Sequence, residues 1–176
     1  DPNGTLVSEG EYLDSLKTGK WKYYLPKSID KSGKTLDYSG QLFLEENYRN
    51  GNLNGECIQY SYFEDIEKPC LDDIEKTCVE HKLIKVLETS YYIEDELNGP
   101  YELRNENSEI IRKGIYLNGK ESGKWLLRNE SQVMRWKGLT NEIGNFIFGK
   151  KQGDWKRYND EDQVLESYSY VNSVIE

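Results

Sequence analysis

The sequence predicts an all-β protein, an elongated antiparallel meander of short β-hairpin repeats. Three observations carry that prediction. A glycine-and-aromatic pattern recurs along the chain. The composition favours strands, with 14 Tyr and 4 Trp among 176 residues and no Ala at all, the strongest helix former being the one that is missing. A run with period two, Leu36, Tyr38, Gly40, Leu42 and Leu44, alternates with mostly polar residues up to Tyr48, as a half-buried strand does.

The pattern is clearest in Gly114-Ile115-Tyr116-Leu117-Asn118-Gly119-Lys120-Glu121-Ser122-Gly123-Lys124-Trp125. With Tyr116 as position zero, glycines fall at −2, +3 and +7 and an aromatic at +9. Gly10, Tyr12, Gly19 and Trp21 repeat it near the N-terminus, and Gly144, Phe146, Gly149, Gly153 and Trp155 match every position. The copy at Tyr48 keeps Gly51 and Gly55 but has Cys57 at +9, and the copy at Tyr92 keeps Gly99 and Tyr101 with Asp95 at +3. A truncated copy closes the chain at Tyr170. About five copies and a partial sixth thus have anchors at 12, 48, 92, 116, 146 and 170. Their spacings suggest a unit of 24 with insertions, the signature of a repeat architecture.

The residue types follow from local chemistry. Asn-Gly supplies positive φ at a tight reversal, and Asp95 substitutes because Asp tolerates that region. The residues at +9 should line up in one row when hairpins stack side by side. No single hairpin buries such a face alone.

Taken in order, residues 1–9 form a polar lead-in. Gly19 to Leu25 starts the first full strand, with Trp21, Tyr23 and Leu25 on one face. Pro26 to Gly33 is a polar loop, and Gly40 marks a bulge or bend. Residues 61–82 interrupt the repeats. Asp72 or Asp73 is placed to cap a short helix running to about His81, with Leu71, Ile74 and Cys78 on its apolar face. Cys70 and Cys78 compete with that helix. A disulfide between them would staple the loop, whereas two helical turns would hold them ~11–12 Å apart. Pairing should resume at Leu83 to Leu87, and further strands are expected over Glu109 to Tyr116 and Val133 to Gly138. The whole chain, 1–176, reads as a single repeat domain.

The sequence Tyr-x-Asn-Gly-x-x-x-Gly-x-Trp resembles the MORN repeat, and more closely the variant found in bacterial proteins of the YwqK antitoxin family. Tyr48 to Gly55, Tyr116 to Trp125 and Phe146 to Trp155 carry the resemblance. It implies a β-hairpin scaffold that binds partners, and it allows the partner to be a toxin neutralised by binding. Membrane or envelope association is the alternative that it leaves open.

Net charge is −9, which disfavours nucleic acid and general attraction to anionic lipid. A protein partner is the expectation, and a basic one is the sharper reading of the charge. Three residues beyond each +9 position stand Tyr24, Tyr60, Arg104, Arg128 and Tyr158. An odd offset puts them on the face opposite the Trp row, and Tyr and Arg are common interface anchors. Asp72, Asp73 and Glu75 add an acidic contact surface from the insertion.

No cofactor, metal site or catalytic constellation is signalled. The one histidine, His81, is the residue that a hydrolase would have to use. Cys70, Cys78 and His81 fall one ligand short of a zinc site. The start at Asp1 reads as a trimmed chain, and an exported location, periplasmic or extracellular, is favoured over the cytoplasm. An open meander leaves two edges, so a monomer or an edge-paired dimer is expected.

Overall fold

Five of the six position-zero aromatics are followed two residues later by a reversal with positive φ at both central residues. The pairs are Asp14-Ser15 (51° and 66°), Asn50-Gly51 (52° and 86°), Glu94-Asp95 (50° and 66°), Asn118-Gly119 (49° and 70°) and Phe148-Gly149 (51° and 78°). That is the type I′ geometry whose twist matches the flanking strands. Five hairpins result, here numbered 1 to 5. A computed structural model describes residues 6–26, 28–29, 35–36, 40–61, 65–69, 77–81, 85–105, 108–128, 141–159, 161–171 and 174–175.

In hairpin 1, β1 (Ser8–Leu13) leads and β2 (Leu16–Tyr24) trails. A two-residue pair, β3 (Ser28–Ile29) and β4 (Thr35–Leu36), precedes hairpin 2. Hairpin 2 has β5 (Leu42–Arg49) leading and β6 (Asn52–Leu53) with β7 (Gly55–Ser61) trailing. The run expected from Leu36 to Tyr48 is therefore split. Gly40 sits in a turn at φ 80°, a conformation that no regular strand carries.

The insertion differs from expectation as well. β8 (Asp65–Pro69) pairs antiparallel with β9 (Thr77–His81), with Lys68 opposite Cys78 and Asp65 opposite His81. The short helix expected to run to His81 is therefore wrong over Thr77–His81. Thr77, Cys78 and Val79 are β-branched or weak helix formers, and a facing strand satisfies their backbone. Residues 70–76, with Cys70, Asp72, Asp73 and Glu75, lie outside the described residues, and so does the Cys70–Cys78 disulfide.

Hairpin 3 is β10 (Lys85–Ile93), β11 (Glu96–Leu97) and β12 (Gly99–Arg104). Hairpin 4 is β13 (Ile110–Leu117) with β14 (Lys120–Arg128), and hairpin 5 is β15 (Asn141–Ile147) with β16 (Lys150–Tyr158). β17 (Val164–Val171) and the stub β18 (Val174–Ile175) close the order. The strand expected over Val133 to Gly138 lies outside the described residues.

All hairpins join one antiparallel sheet of fourteen strands, in the order β1-β2-β5-β7-β10-β12-β13-β14-β15-β16-β17-β18, with β6 and β11 completing their hairpins. Sequential strands are neighbours throughout, as local connections dictate. Junctions between hairpins repeat one register. Every +7 glycine faces the next position-zero aromatic: Gly19 opposite Tyr48, Gly55 opposite Tyr92, Gly99 opposite Tyr116, Gly123 opposite Phe146, Gly153 opposite Tyr170. A second link repeats on the turn side. The +3 amide donates to the +5 carbonyl of the preceding hairpin, from Gly51 to Lys17 (2.9 Å), Asp95 to Leu53 (3.0 Å), Gly119 to Leu97 (2.8 Å) and Gly149 to Glu121 (2.9 Å).

The core lies on one face of this single layer. Tyr101, Tyr116, Trp125, Phe146 and Trp155 form its main cluster. Rings meet edge to face from hairpin to hairpin, with Tyr116–Trp125 at 5.0 Å, Trp125–Phe146 at 6.0 Å and Phe146–Trp155 at 5.2 Å, the arrangement that the aromatic quadrupole favours.

Candidate functional site

Side chains on the aromatic face are set by a bulge. In hairpins 1, 4 and 5 the single residue at −2 opposes three residues, +7 to +9, of the trailing strand. The +7 glycine takes φ between 65° and 68° there, which a Cβ would resist. The bulge swings the +9 indole down onto the −2 backbone. A Cβ built on Gly10, Gly114 or Gly144 would sit 2.3, 2.2 or 2.1 Å from Cδ2 of Trp21, Trp125 or Trp155. Each indole N–H then donates to the carbonyl at −1, Glu11, Ile115 or Asn145, at 3.2 to 3.3 Å.

A cation covers each indole from above. Lys17 Nζ lies 4.5 Å from the Trp21 ring, the Arg112 guanidinium carbon 5.4 Å from Trp125, and Lys151 Nζ 4.1 Å from Trp155. In hairpin 4 the cation stands at −4 and its carboxylate at +5, Arg112 to Glu121 at 3.2 Å. In hairpin 5 the signs are exchanged, Glu142 at −4 and Lys151 at +5, 2.7 Å apart. Arg157 also holds Glu142 (2.7 Å) and Glu166 (2.8 Å) while lying over Tyr168. Burial pushes the Glu142 carboxyl up, but hydrogen bonds from Lys151 and Arg157 outweigh it and hold the group below its ordinary value.

Hairpins 2 and 3 break this series. Position −2 is Glu46 or Ser90 and +9 is Cys57 or Tyr101, while +5 is Leu53 or Leu97. Neither has a Trp at +9, and the cation near the Tyr101 ring, Arg112 at 6.0 Å, comes from the next hairpin. Glu46 accepts from the Tyr48 hydroxyl at 2.7 Å. Burial raises Glu88 above its ordinary value, and the Tyr101 hydroxyl and Arg112 only partly offset it. Burial also lifts the Cys57 thiol to about 11, with the Glu46 charge adding to the rise. The thiol therefore stays protonated near neutral pH and is a poor nucleophile.

The opposite face holds the residues singled out at three beyond +9, and the odd offset places them as expected. They are not free arms. The Tyr24 hydroxyl donates to Glu9, and Tyr60 donates to Glu45 at 3.4 Å. Arg128 pairs with Glu109 at 3.0 Å, and Arg104 with Glu102. Tyr158 also has a partner. The Tyr24 and Tyr60 contacts tie neighbouring strands together and Arg104–Glu102 lies within β12, so the residues come together only pairwise, at separate points of the sheet. His81 sits in β9, apart from the large sheet.

The same face carries a row that the sequence reading missed. Position +1 is Leu13, Arg49, Ile93, Leu117, Ile147 and Val171. The five aliphatic members are all exposed. Beside Ile147 stands Phe148, 70% exposed, at the first central position of its turn with φ 51°. Asn, Asp, Glu or Ser fills the other non-glycine central positions of these turns. A phenyl side chain there is unfavourable by roughly 1–2 kcal/mol. Reading down the +1 column of the aligned repeats would have found the row. No family model and no curated protein matches the sequence.

Proposed function

We propose that the chain is a non-catalytic protein-binding module whose contact surface is the exposed aliphatic row ending in Phe148. The observation that carries this reading is Phe148 itself, a large apolar side chain kept in solvent at a backbone conformation that disfavours it. Strain and exposure in one residue mark functional positions, and a contiguous exposed apolar patch marks an interaction site. Ile93, Leu117 and Ile147 continue the patch across three adjacent hairpins. Neighbours in the row are two strands apart, about 9.6 Å. Residues i and i+7 of a helix are about 10.5 Å apart. An amphipathic helix of the partner, laid across the hairpins, fits that spacing. The MORN-like antitoxin resemblance would make the partner a toxin held inactive by coverage.

The test is photo-crosslinking from Leu117 in extract of the native host. It compares the wild-type row with an Ile93→Asp, Ile147→Asp variant whose thermal unfolding is unchanged. A defined adduct that disappears in the variant supports the reading. The same adduct in both proteins ends it.

A further inference from the structure

Five position-zero aromatics are faced by a +7 glycine from the hairpin before, and one is not. Tyr12 stands on β1, where the strand order of the sheet ends, and no strand among the described residues pairs with its outer side. The consequence is visible in its exposure. Tyr12 is 63% exposed, whereas Tyr116 and Phe146, covered by Gly99 and Gly123, are 9%. The turn link is also incomplete. Four internal turns donate their +3 amide to a preceding +5 carbonyl, and Ser15 holds the equivalent place in hairpin 1, before which no hairpin stands among the described residues.

We infer that the outer edge of β1 is a docking site for one more antiparallel strand, supplied by a protein partner, with a glycine facing Tyr12 and lysines facing Glu11 and Glu9. The internal junctions specify the register of such a strand. Residues +8 and +10 of a trailing strand face −1 and −3 of the next leading strand, as Lys20 faces Asn47 and Lys22 faces Glu45. On β1 those two positions are Glu11 and Glu9, both carboxylates. The complementary strand is therefore Gly-Lys-aromatic-Lys, with the aromatic on the Trp face beyond Gly10. The chain's own β2 contains that sequence, Gly19-Lys20-Trp21-Lys22. Main-chain hydrogen bonds along an exposed edge provide affinity, and alternate side chains provide selectivity. This site is separate from the aliphatic row, and each can fail without the other.

The probe is a capped peptide copying residues 16–24, titrated into the full chain with amide shifts read by NMR. Saturable shifts centred on Glu9 to Leu13 and Ser15 are expected. Gly19→Val in the peptide should weaken binding at least tenfold, because the junction glycine holds φ 65°, which a branched side chain resists. Glu11→Lys in the protein should lose binding, and the same variant should regain it with a Lys20→Glu peptide. That reversal separates contact from structural damage. An Ile93→Asp, Ile147→Asp protein should bind the peptide as wild type does, whatever the crosslinking gives. Absence of saturable shifts overturns the inference. Shifts centred on Tyr48 or on β17 overturn it as well, since they mean exchange with the resident β2 or capture at the other edge. Failure of the Lys20→Glu peptide to restore binding also counts against it.

Discussion

Hairpins 1, 4 and 5 and hairpins 2 and 3 share a backbone plan but differ at linked positions. Where +9 is Trp, −2 is Gly, and a Lys or Arg lies over the indole. Where +9 is Cys57 or Tyr101, −2 is Glu46 or Ser90, and +5 is a leucine. The comparison teaches that the repeat's unit of choice is a stack of glycine floor, indole and cation. A Cβ about 2 Å from an indole carbon forbids changing the floor alone, so the layers change together. Trp125 and Trp155 are fully buried in this way on a sheet that no second layer covers among the described residues.

The largest test of that contrast is removal of the indole. Trp125→Ala should destabilise the fold by about 3–5 kcal/mol, as truncation of large buried aromatics does. Cys57→Ala, at the same repeat position, should cost about 1 kcal/mol, an ordinary value for a half-buried small residue. Urea unfolding at neutral pH measures both. Equal losses would mean that the +9 positions are equivalent and that the stack carries no special weight.

Next in size is the floor. Gly144→Ala should cost about 1–3 kcal/mol through overpacking against Trp155. The converse experiment builds a stack where none exists. Cys57→Trp alone should be destabilising by a similar amount, because the indole would meet the Glu46 side chain. Adding Glu46→Gly should recover much of the loss. Additive losses in the double variant would break the proposed link between −2 and +9.

The charges sharpen the comparison through pH. Glu142 is held below its ordinary value of 4.5 and Glu88 above it. A carboxylate with a depressed folded value stabilises fully above the unfolded value, and the contribution is lost as pH falls through the folded one. Glu142→Gln should therefore cost about 1.5 kcal/mol at pH 7, the scale of a hydrogen bond to a charged group. That loss should fade as pH falls below the ordinary carboxylate range. For Glu88 the sign is opposite. Its ionised form is disfavoured in the fold, so Glu88→Gln should be neutral or stabilising at pH 7 and converge with wild type at low pH. Thermal unfolding across pH 3 to 7 distinguishes the two curves.

Much of this fold was legible because hairpin repeats encode their turns locally. Asn118-Gly119 and Asn50-Gly51 announce positive φ on their own. The +7 glycines stood out for the same reason, since the bulge of hairpins 1, 4 and 5 holds them at φ 65° to 68°. Gly40 was misjudged because a glycine at a true break and one at a bulge look alike without the pairing partner. The insertion was misread for a related reason. Leu71, Ile74 and Cys78 fit a helical face, but the pairing of Thr77–His81 with Asp65–Pro69 is a choice between separate segments that no local pattern announces. On the surface, Tyr24 and Arg128 drew attention by residue type, yet both spend their polar atoms on neighbouring strands. The aliphatic +1 row is less conspicuous in sequence, because one aliphatic residue per hairpin is also what a core position looks like.

The smallest effect decides what the exposed row is for. Phe148 and Asn118 occupy the same turn position, at φ 51° and 49°. Asn bears that conformation easily, and Phe does not. Phe148→Asn should therefore stabilise the isolated protein by about 1 kcal/mol, the scale of the left-handed penalty. If Phe148 anchors a partner, the same change should weaken capture from Leu117 even though the fold has become more stable. A gain in both would identify Phe148 as a mere defect in hairpin 5. A gain in stability with a loss of capture would show that hairpin 5 keeps its strain for binding, which Asn118 in hairpin 4 has no need to do.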